Sequence, residues 1–491
     1  MLFTSLVFLY LFLPFTLLFF LLILPKLRKP LLLLASLVFY AWGGVSYVAI
    51  LIAYILFNYF LGLLIGKETS LTTRKCWLVT GIIMNLAGLI VFKFTVFFES
   101  NILVSVFGMD PSHVHNIILP LGISVFALKG ISYLVTIYRR ETLPSRNIID
   151  TGLYLGFFPT LIAGPIDKYK DIACQFENPY PTLDLFASGV RRFALGLAKK
   201  VIIATPLASV ANEIFSAAPP TMNSPLAWLG LISFMLQVYY EFSGYADMAV
   251  GLGRMFGFRL AENFDFPYSA KSLTDFWNSW NITLNSWFRE YLYLALLSAD
   301  KRVRLASGPH ESGAGAGFSL LLTMILMGSW YGAGWNTMLW GLILGLFIIL
   351  ERTGFKRLLD KSPWAMGHFY TLFFLALAWV IFRSADMKHA LQFYRLLFGI
   401  EGAKPEIGRV LGFFNTAFLF SFIVAILGCT RIFELIRRKA ESLASAGNND
   451  SVPVAYHLYR ISTLILVIAA LVYSGMTILS QPLQSFIFFR F

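Results

Sequence analysis

The sequence predicts an all-α polytopic membrane protein, and three observations carry that expectation. Of 491 residues, 58% are hydrophobic and only 13% charged, against roughly 25% charged in an average soluble domain. Residues 2–25, 31–66, 77–98 and 461–479 are apolar runs that each reach the ~18 residues flagging a membrane-spanning helix. These runs are nearly solid, whereas an outer-membrane barrel would alternate apolar and polar side chains.

Taken in order, residues 2–25 lack a basic n-region and a small-residue cleavage site, so they read as a retained span and not a signal peptide. Residues 31–66 are too long for one helix and break at Trp42-Gly43-Gly44, giving two helices. Residues 77–98 hold one charge, Lys93, near enough to the end to snorkel. Residues 117–138 return to Arg139-Arg140. Residues 151–166, interrupted by Pro159, Gly164 and Pro165, are too short and broken to cross and read as re-entrant, which is tolerated only where protein or water satisfies the backbone. Further spans are expected at 201–215, 226–240, 318–327, 336–350, 368–381 and 416–436, about eleven crossings in all. Residues 298–317 form a loop-like insertion. One integral membrane domain covers 1–491, with N-terminal helices at 1–150, a motif-bearing core at 151–360 and C-terminal helices at 361–491.

The net charge of +13 does not point to nucleic acid, because the basic residues form short clusters: residues 26–29, 67–75, 139–140 and 168–170, Arg191-Arg192 with Lys199-Lys200, and 437–439. These read as loops on the cytoplasmic side. Membrane lipid is the expected surrounding partner. Cys76, Cys174 and Cys429 contain no CxxC pair, so neither a disulfide framework nor a thiolate metal site is expected. Gly251-Leu252-Gly253 follows no strand and reads as close helix packing. Gly341 and Gly345 read the same way, within one chain or between chains.

Residues 241–340 are the exception to the apolar pattern, and lipid forces such a polar stretch into protein, a cavity or an interface. From 273 to 293, Phe276, Trp280, Ile282, Trp287 and Tyr291 share one helical face, and Asp275, Asn278, Asn281, Asn285 and Arg289 the other. An amphipathic helix at the membrane surface accounts for the aromatics. It does not account for the successive amides Asn281 and Asn285. Lys129 is an intramembrane lysine that needs a partner, with Asp247 first and Glu241 second as expectations.

Several ordered motifs resemble the membrane-bound O-acyltransferase family. They are Phe242-Ser243-Gly244-Tyr245-Ala246-Asp247, Glu262-Asn263-Phe264, Pro267-Tyr268, Trp280-Asn281-Ile282-Thr283-Leu284, Trp287-Phe288-Arg289-Glu290-Tyr291-Leu292-Tyr293 and Trp330-Tyr331-Gly332-Ala333-Gly334-Trp335. Pro120-Leu121-Gly122, Phe157-Phe158-Pro159, Glu351-Arg352 and Phe382-Arg383 extend the likeness over most of the chain. The bacterial alginate O-acetylase branch is the most similar, with the D-alanyl transfer protein of teichoic acid synthesis a cousin.

The resemblance implies a ring of tilted helices around a central tunnel in the bacterial cytoplasmic (inner) membrane. No bound cofactor is implied. The co-substrate is an acyl thioester, acyl-CoA or an acyl carrier protein, and a soluble SGNH-type partner often finishes the transfer. A central histidine acts as general base on a hydroxyl acceptor. This chain departs there: Trp-His-Gly becomes Trp330-Tyr331-Gly332, and the branch's other histidine is Asn281. A phenol with a reference pKa of about 10 is a poor base at neutral pH. Neither His113 and His115, His310, His368, His389 nor His457 stands on an apolar helix face opposite Asn281.

The implied catalytic residues are therefore Tyr331 and Asn281, with Asp247, Trp280, Asn285, Arg289, Trp330 and Trp335 along the substrate path. No metal is expected. The implied function is transfer or relay of an acyl group, acetyl by branch, to a hydroxyl of an envelope or secreted polysaccharide. The alternative is a catalytically impaired member serving as an acyl or lipid conduit or scaffold. A transporter is disfavoured, because no inverted pair of broken helices is visible.

Overall fold

The computed structural model describes residues 1–104, 119–177, 179–217, 221–299, 314–403, 407–445 and 454–480. Among them the regular structure is helical, with no named β-strand and a single isolated bridge. His113, His115 and His310 fall outside the described residues, as do most of the 298–317 insertion and the end of the charged stretch 437–450. Six helices are long and apolar enough to cross a membrane, or seven if one bent pair is a single span. Three shorter apolar helices, Phe8–Leu22, Ile123–Tyr138 and Gly315–Tyr331, add to these. The chain is a multi-pass helical membrane protein.

The boundaries have local causes. The first apolar run yields helix only over Phe8–Leu22, because Leu24 precedes Pro25 and is extended at ψ 140°. The break at Trp42-Gly43-Gly44 separates Pro25–Ala41 from Val45–Lys67, with Gly44 at φ +150°, a conformation that glycine alone adopts without strain. The stretch 416–436 is not one straight span. Thr416–Gly428 and Ile432–Ala440 meet at a 66° bend, where the Thr430 hydroxyl donates to the Leu427 carbonyl. Arg191-Arg192 and Lys199-Lys200 are not loop residues either: they lie within the 34-residue helical stretch Leu183–Ser216, where Arg192 and Lys200 each meet acidic partners.

Contacts divide the chain into two compact units, Met1–Phe193 with Ala246–Glu262, and Ala194–Tyr245 with Asn263–Phe491. In the first, Asn58 and Asn85 exchange amide hydrogen bonds of 3.1 and 3.0 Å, joining Val45–Lys67 to Leu71–Leu89. Interhelical amide pairs of this kind contribute about 0.6–2 kcal/mol in a membrane. Residues 151–161 are wholly buried and broken at Phe157, and the Phe158 N–H freed by the break donates to the Ser36 hydroxyl at 3.0 Å. Gly251 lets two helices meet, since a Cβ there would strike the backbone of Gly189 and Phe193.

Lys129 does not pair with Asp247 or Glu241. Its ammonium donates to the Thr160 hydroxyl at 2.7 Å and lies 5.8 Å from the Tyr154 ring. Asp247 belongs to the same unit but is held by Arg192 at 2.6 Å, and Arg192 also reaches Glu262 at 2.5 Å. In the second unit Glu241 pairs with Lys200 at 2.6 Å, both buried. This pair lies where a π-helical turn, Lys199–Ala204, interrupts the helix, and Ser421 caps the Ile202 carbonyl at 2.7 Å.

Removing one member of a buried ion pair strands the other charge, at a cost of about 3–5 kcal/mol, whereas removing both is far milder. Lys200→Met alone is therefore expected to lower the unfolding midpoint in nanodiscs sharply. The double variant Lys200→Met/Glu241→Leu should recover most of the loss. A double variant as unstable as the single would contradict this account.

Candidate functional site

The polar block builds its site from two short helices, Leu273–Ser279 and Ile282–Phe288. These replace the continuous surface helix expected over 273–293. The cause is Asn281, which sits in the left-handed region at φ 43°, ψ 55° after an extended Trp280. Asparagine and histidine enter that region several-fold more readily than most residues, so the backbone alone selects for either type here. The break also turns the aromatics inward: Phe276 and Trp280 are buried, not lipid-facing.

Three groups hold the break in place. Ser272 caps the first helix by accepting from the Asp275 N–H. The buried Glu351 carboxylate accepts from the Leu273 and Thr274 N–H groups at 2.7 and 2.8 Å, and from the Thr274 hydroxyl at 2.5 Å. A carboxylate is well matched to the partial positive charge of a helix N-terminus. At the second helix, the Asn263 carbonyl accepts from the Ile282 N–H at 2.9 Å, and its side-chain Oδ1 accepts from Thr283 N–H and Oγ1 at 3.1 and 2.6 Å. Phe264 and Trp280 form the isolated bridge beside it. Sequence reading assigned no role to Ser272, Asn263 or Glu351. The Ser-x-x-Asp spacing at 272–275 was a visible capping signal, but the partners of Asn263 and Glu351 are set by tertiary contact.

Tyr331 ends the helix Ala314–Tyr331 and is 2% exposed. Its phenolic oxygen accepts hydrogen bonds from Asn281 Nδ2 at 3.1 Å and Trp280 Nε1 at 3.3 Å. Rings surround it: Trp330 at 5.3 Å, Trp340 at 5.6 Å, and Phe242 and Phe382 at 6.2 Å, all edge-on. Trp280 in turn packs against Phe276 and Trp379. The helix Trp335–Leu350 approaches closely because Gly341 faces the Met324 carbonyl, where any Cβ would clash. That answers the sequence-level ambiguity for Gly341: it packs within the chain. The result is an oxygen with two N–H donors in a buried aromatic box, where hydrogen bonds are stronger than in water.

The structure thus brings together Tyr331, Asn281, Trp280 and Trp330. Asn285 and Arg289 stand apart from that cluster and line a cavity of about 420 Å³ together with Thr274, Asn278, Tyr293 and Arg352. Asn285 Nδ2 donates to the Trp277 carbonyl at 2.6 Å, and Arg352 donates to the Tyr293 hydroxyl at 2.9 Å. Trp335 is 58% exposed at the start of its helix. Asp247 lies in the other compact unit, in its ion pair with Arg192. Of the described histidines, the His368 ring meets the Ala270 carbonyl and His389 packs near Phe215 and Phe393.

Asn281→Gly should keep the fold, since glycine accepts positive φ, while deleting one donor to Tyr331. Asn281→Val should instead lower the unfolding midpoint by the equivalent of about 1–3 kcal/mol, because a β-branched residue is strained there. Equal stability of the two variants would show that the left-handed turn is not required.

Residues 139–385 match the membrane-bound O-acyltransferase family. The probable alginate O-acetylase of Azotobacter vinelandii is 38% identical over 81% of this chain and 78% of its own length. Its counterpart in Pseudomonas putida is 35% identical over the whole of both chains. A peptidoglycan O-acetyltransferase of Helicobacter pylori is 33% identical over 77% of this chain and 75% of its own length. With its ordered motifs, its helical multi-pass architecture and these likenesses, the chain belongs to the membrane-bound O-acyltransferase family.

Proposed function

We propose that this protein is a membrane O-acyltransferase that moves an acetyl group from a cytoplasmic thioester to a hydroxyl of a cell-envelope or secreted polysaccharide. The observation that carries the reading is the Tyr331 oxygen held by Asn281 and Trp280 inside a buried aromatic box. The names of the similar proteins, alginate O-acetylases and a peptidoglycan O-acetyltransferase, support acetyl as the group and a polysaccharide as the acceptor. The setting is the bacterial inner membrane, with about eleven crossings around a tunnel between its faces. The donor is acyl-CoA or an acyl carrier protein, and a soluble SGNH-type protein is the partner that the second reading below requires.

In the reaction, the acceptor oxygen bonds to the acyl carbon and the carbon–sulfur bond breaks. The hydroxyl proton ends on the departing thiolate. A phenol cannot hold that proton as a free base at neutral pH, but it can pass one on. Tyr331 gives its own proton to the sulfur as it takes the one from the hydroxyl, and the two N–H donors stabilise the charge on its oxygen in between. Asn281 and Trp280 are therefore positioning and stabilising groups, with Tyr331 in contact with the reacting atoms. A second reading, a conduit or scaffold in which a partner performs the transfer, is favoured by the near-complete burial of Tyr331.

Purified chain in nanodiscs, given labelled acetyl thioester and candidate glycans, is expected to transfer label. Tyr331→Phe should reduce the rate by about 10²-fold, the usual scale for a proton-transfer group. No transfer by the native chain, with activity appearing only in Tyr331→His, would instead establish the conduit reading.

A further inference from the structure

A second cavity, of about 1350 Å³, lies within the second compact unit and shares no lining residue with the one that Asn285 and Arg289 line. It exceeds the roughly 300–1,000 Å³ of small-molecule pockets. Part of its lining is one face of the helix Val454–Ser480, where Leu466, Ala470, Tyr473, Thr477 and Ser480 recur every three or four residues. The span in that helix, Leu458–Ser480, is only 17% buried, the least of the six candidate spans. The rest of the lining comes from residues 201–213 and 409–421. These two segments are tied together by the Ser421 hydroxyl, which donates to the Ile202 carbonyl at 2.7 Å.

The lining changes character along its length. Its polar residues sit at helix ends: Glu213 in the last turn of Thr205–Ser216, Thr477 and Ser480 in the last turn of Val454–Ser480, and Arg409 and Asn415 before the helix that starts at Thr416. Further from those ends, Ile202 and Leu466 are apolar. Leu466 to Ser480 spans about 21 Å of helical rise, and half of a bilayer of 40–45 Å is roughly the same depth. The groove is as long as one leaflet. The basic residues 437–439 precede its helix and belong on the cytoplasmic side, so the polar end lies in the outer leaflet. At hydrocarbon depth no water is available to fill the apolar part, whereas a lipid chain fits it. At the polar end the exposed Glu213 and Arg409 offer one anion and one cation, the complement of a head group that carries both a phosphate and an ammonium. A primary ammonium can donate to a carboxylate; a quaternary one has no N–H to give. We propose that this groove is a binding site for one aminophospholipid of the outer leaflet, with its phosphate on Arg409, its ammonium on Glu213 and its chains along Ala470 and Leu466. The proposal is independent of the transferase reading.

The test is native mass spectrometry of the full chain in mild detergent, with dioleoyl phosphatidylethanolamine, phosphatidylcholine or phosphatidylglycerol added at equal concentration. One phosphatidylethanolamine per chain should be retained at about tenfold lower concentration than either of the others. Glu213→Gln should erase that preference, and Arg409→Gln should weaken retention of all three lipids. Phosphatidylethanolamine carrying a diazirine on one acyl chain should label peptides from 201–213 or 466–480 of the native chain. Equal retention of the three lipids by the native chain, or label confined to other spans, would overturn the proposal, and neither result needs a variant to fold. Disulfide-linked dimers of Ala470→Cys in native membranes would assign the groove to a second copy of the chain and would overturn it as well.

Discussion

The left-handed residue Asn281, with φ 43° and ψ 55°, is what the rest of the site depends on. It ends the run of helix through residue 279, points Trp280 inward and starts a second helix whose first N–H groups need acceptors. Asn263 supplies those acceptors, and Glu351 does the same for the helix before it. Each of these groups is buried, where an unsatisfied donor would cost about 1–3 kcal/mol, so the break persists only while all of them are present. The indole and amide N–H groups that reach the Tyr331 oxygen are held in register by that network. A site placed on a rigid, over-determined turn is suited to hold a reacting oxygen without reorganisation.

The same low dielectric explains how the chain keeps charge within its helices. Arg192 meets Asp247 and Glu262, and Lys200 meets Glu241, so carboxylates accompany these cations within their helical stretch. Lys129 has the Thr160 hydroxyl and the face of Tyr154. The π-helical turn at Lys199–Ala204 is tolerated because Ser421 satisfies a carbonyl there. In lipid no water is available to repair such interruptions, so each has a protein partner.

How much of this was legible in the sequence follows from the range of the interactions. The helical membrane class and the break at Gly43-Gly44 were readable, since apolar run length and glycine act locally. The family was readable from ordered motifs, and Tyr331 and Asn281 were singled out as its altered positions. What escaped was set by distant contacts. A helical periodicity over 273–293 concealed the turn at Asn281, because asparagine reads as merely polar until its φ is known. Basic pairs at 191–192 and 199–200 looked like loops because the acidic partners of Arg192 and Lys200 lie 41 to 70 residues away. Asp247 seemed a partner for Lys129, yet it serves Arg192, and nothing in the local sequence separates those alternatives. That Arg289 and Arg352 line one cavity was equally hidden, since they lie on separate helical segments.

The central claim is that acyl transfer is centred on the Tyr331 oxygen held by Asn281 and Trp280. The most direct measurement is an experimental structure of the protein in nanodiscs with a non-transferable thioether analogue of the acetyl donor. The account predicts the analogue's acyl carbon beside the Tyr331 hydroxyl, with both N–H contacts to that oxygen retained. An analogue seated with its acyl carbon away from Tyr331, and Tyr331 still closed off by its aromatic neighbours, would contradict it.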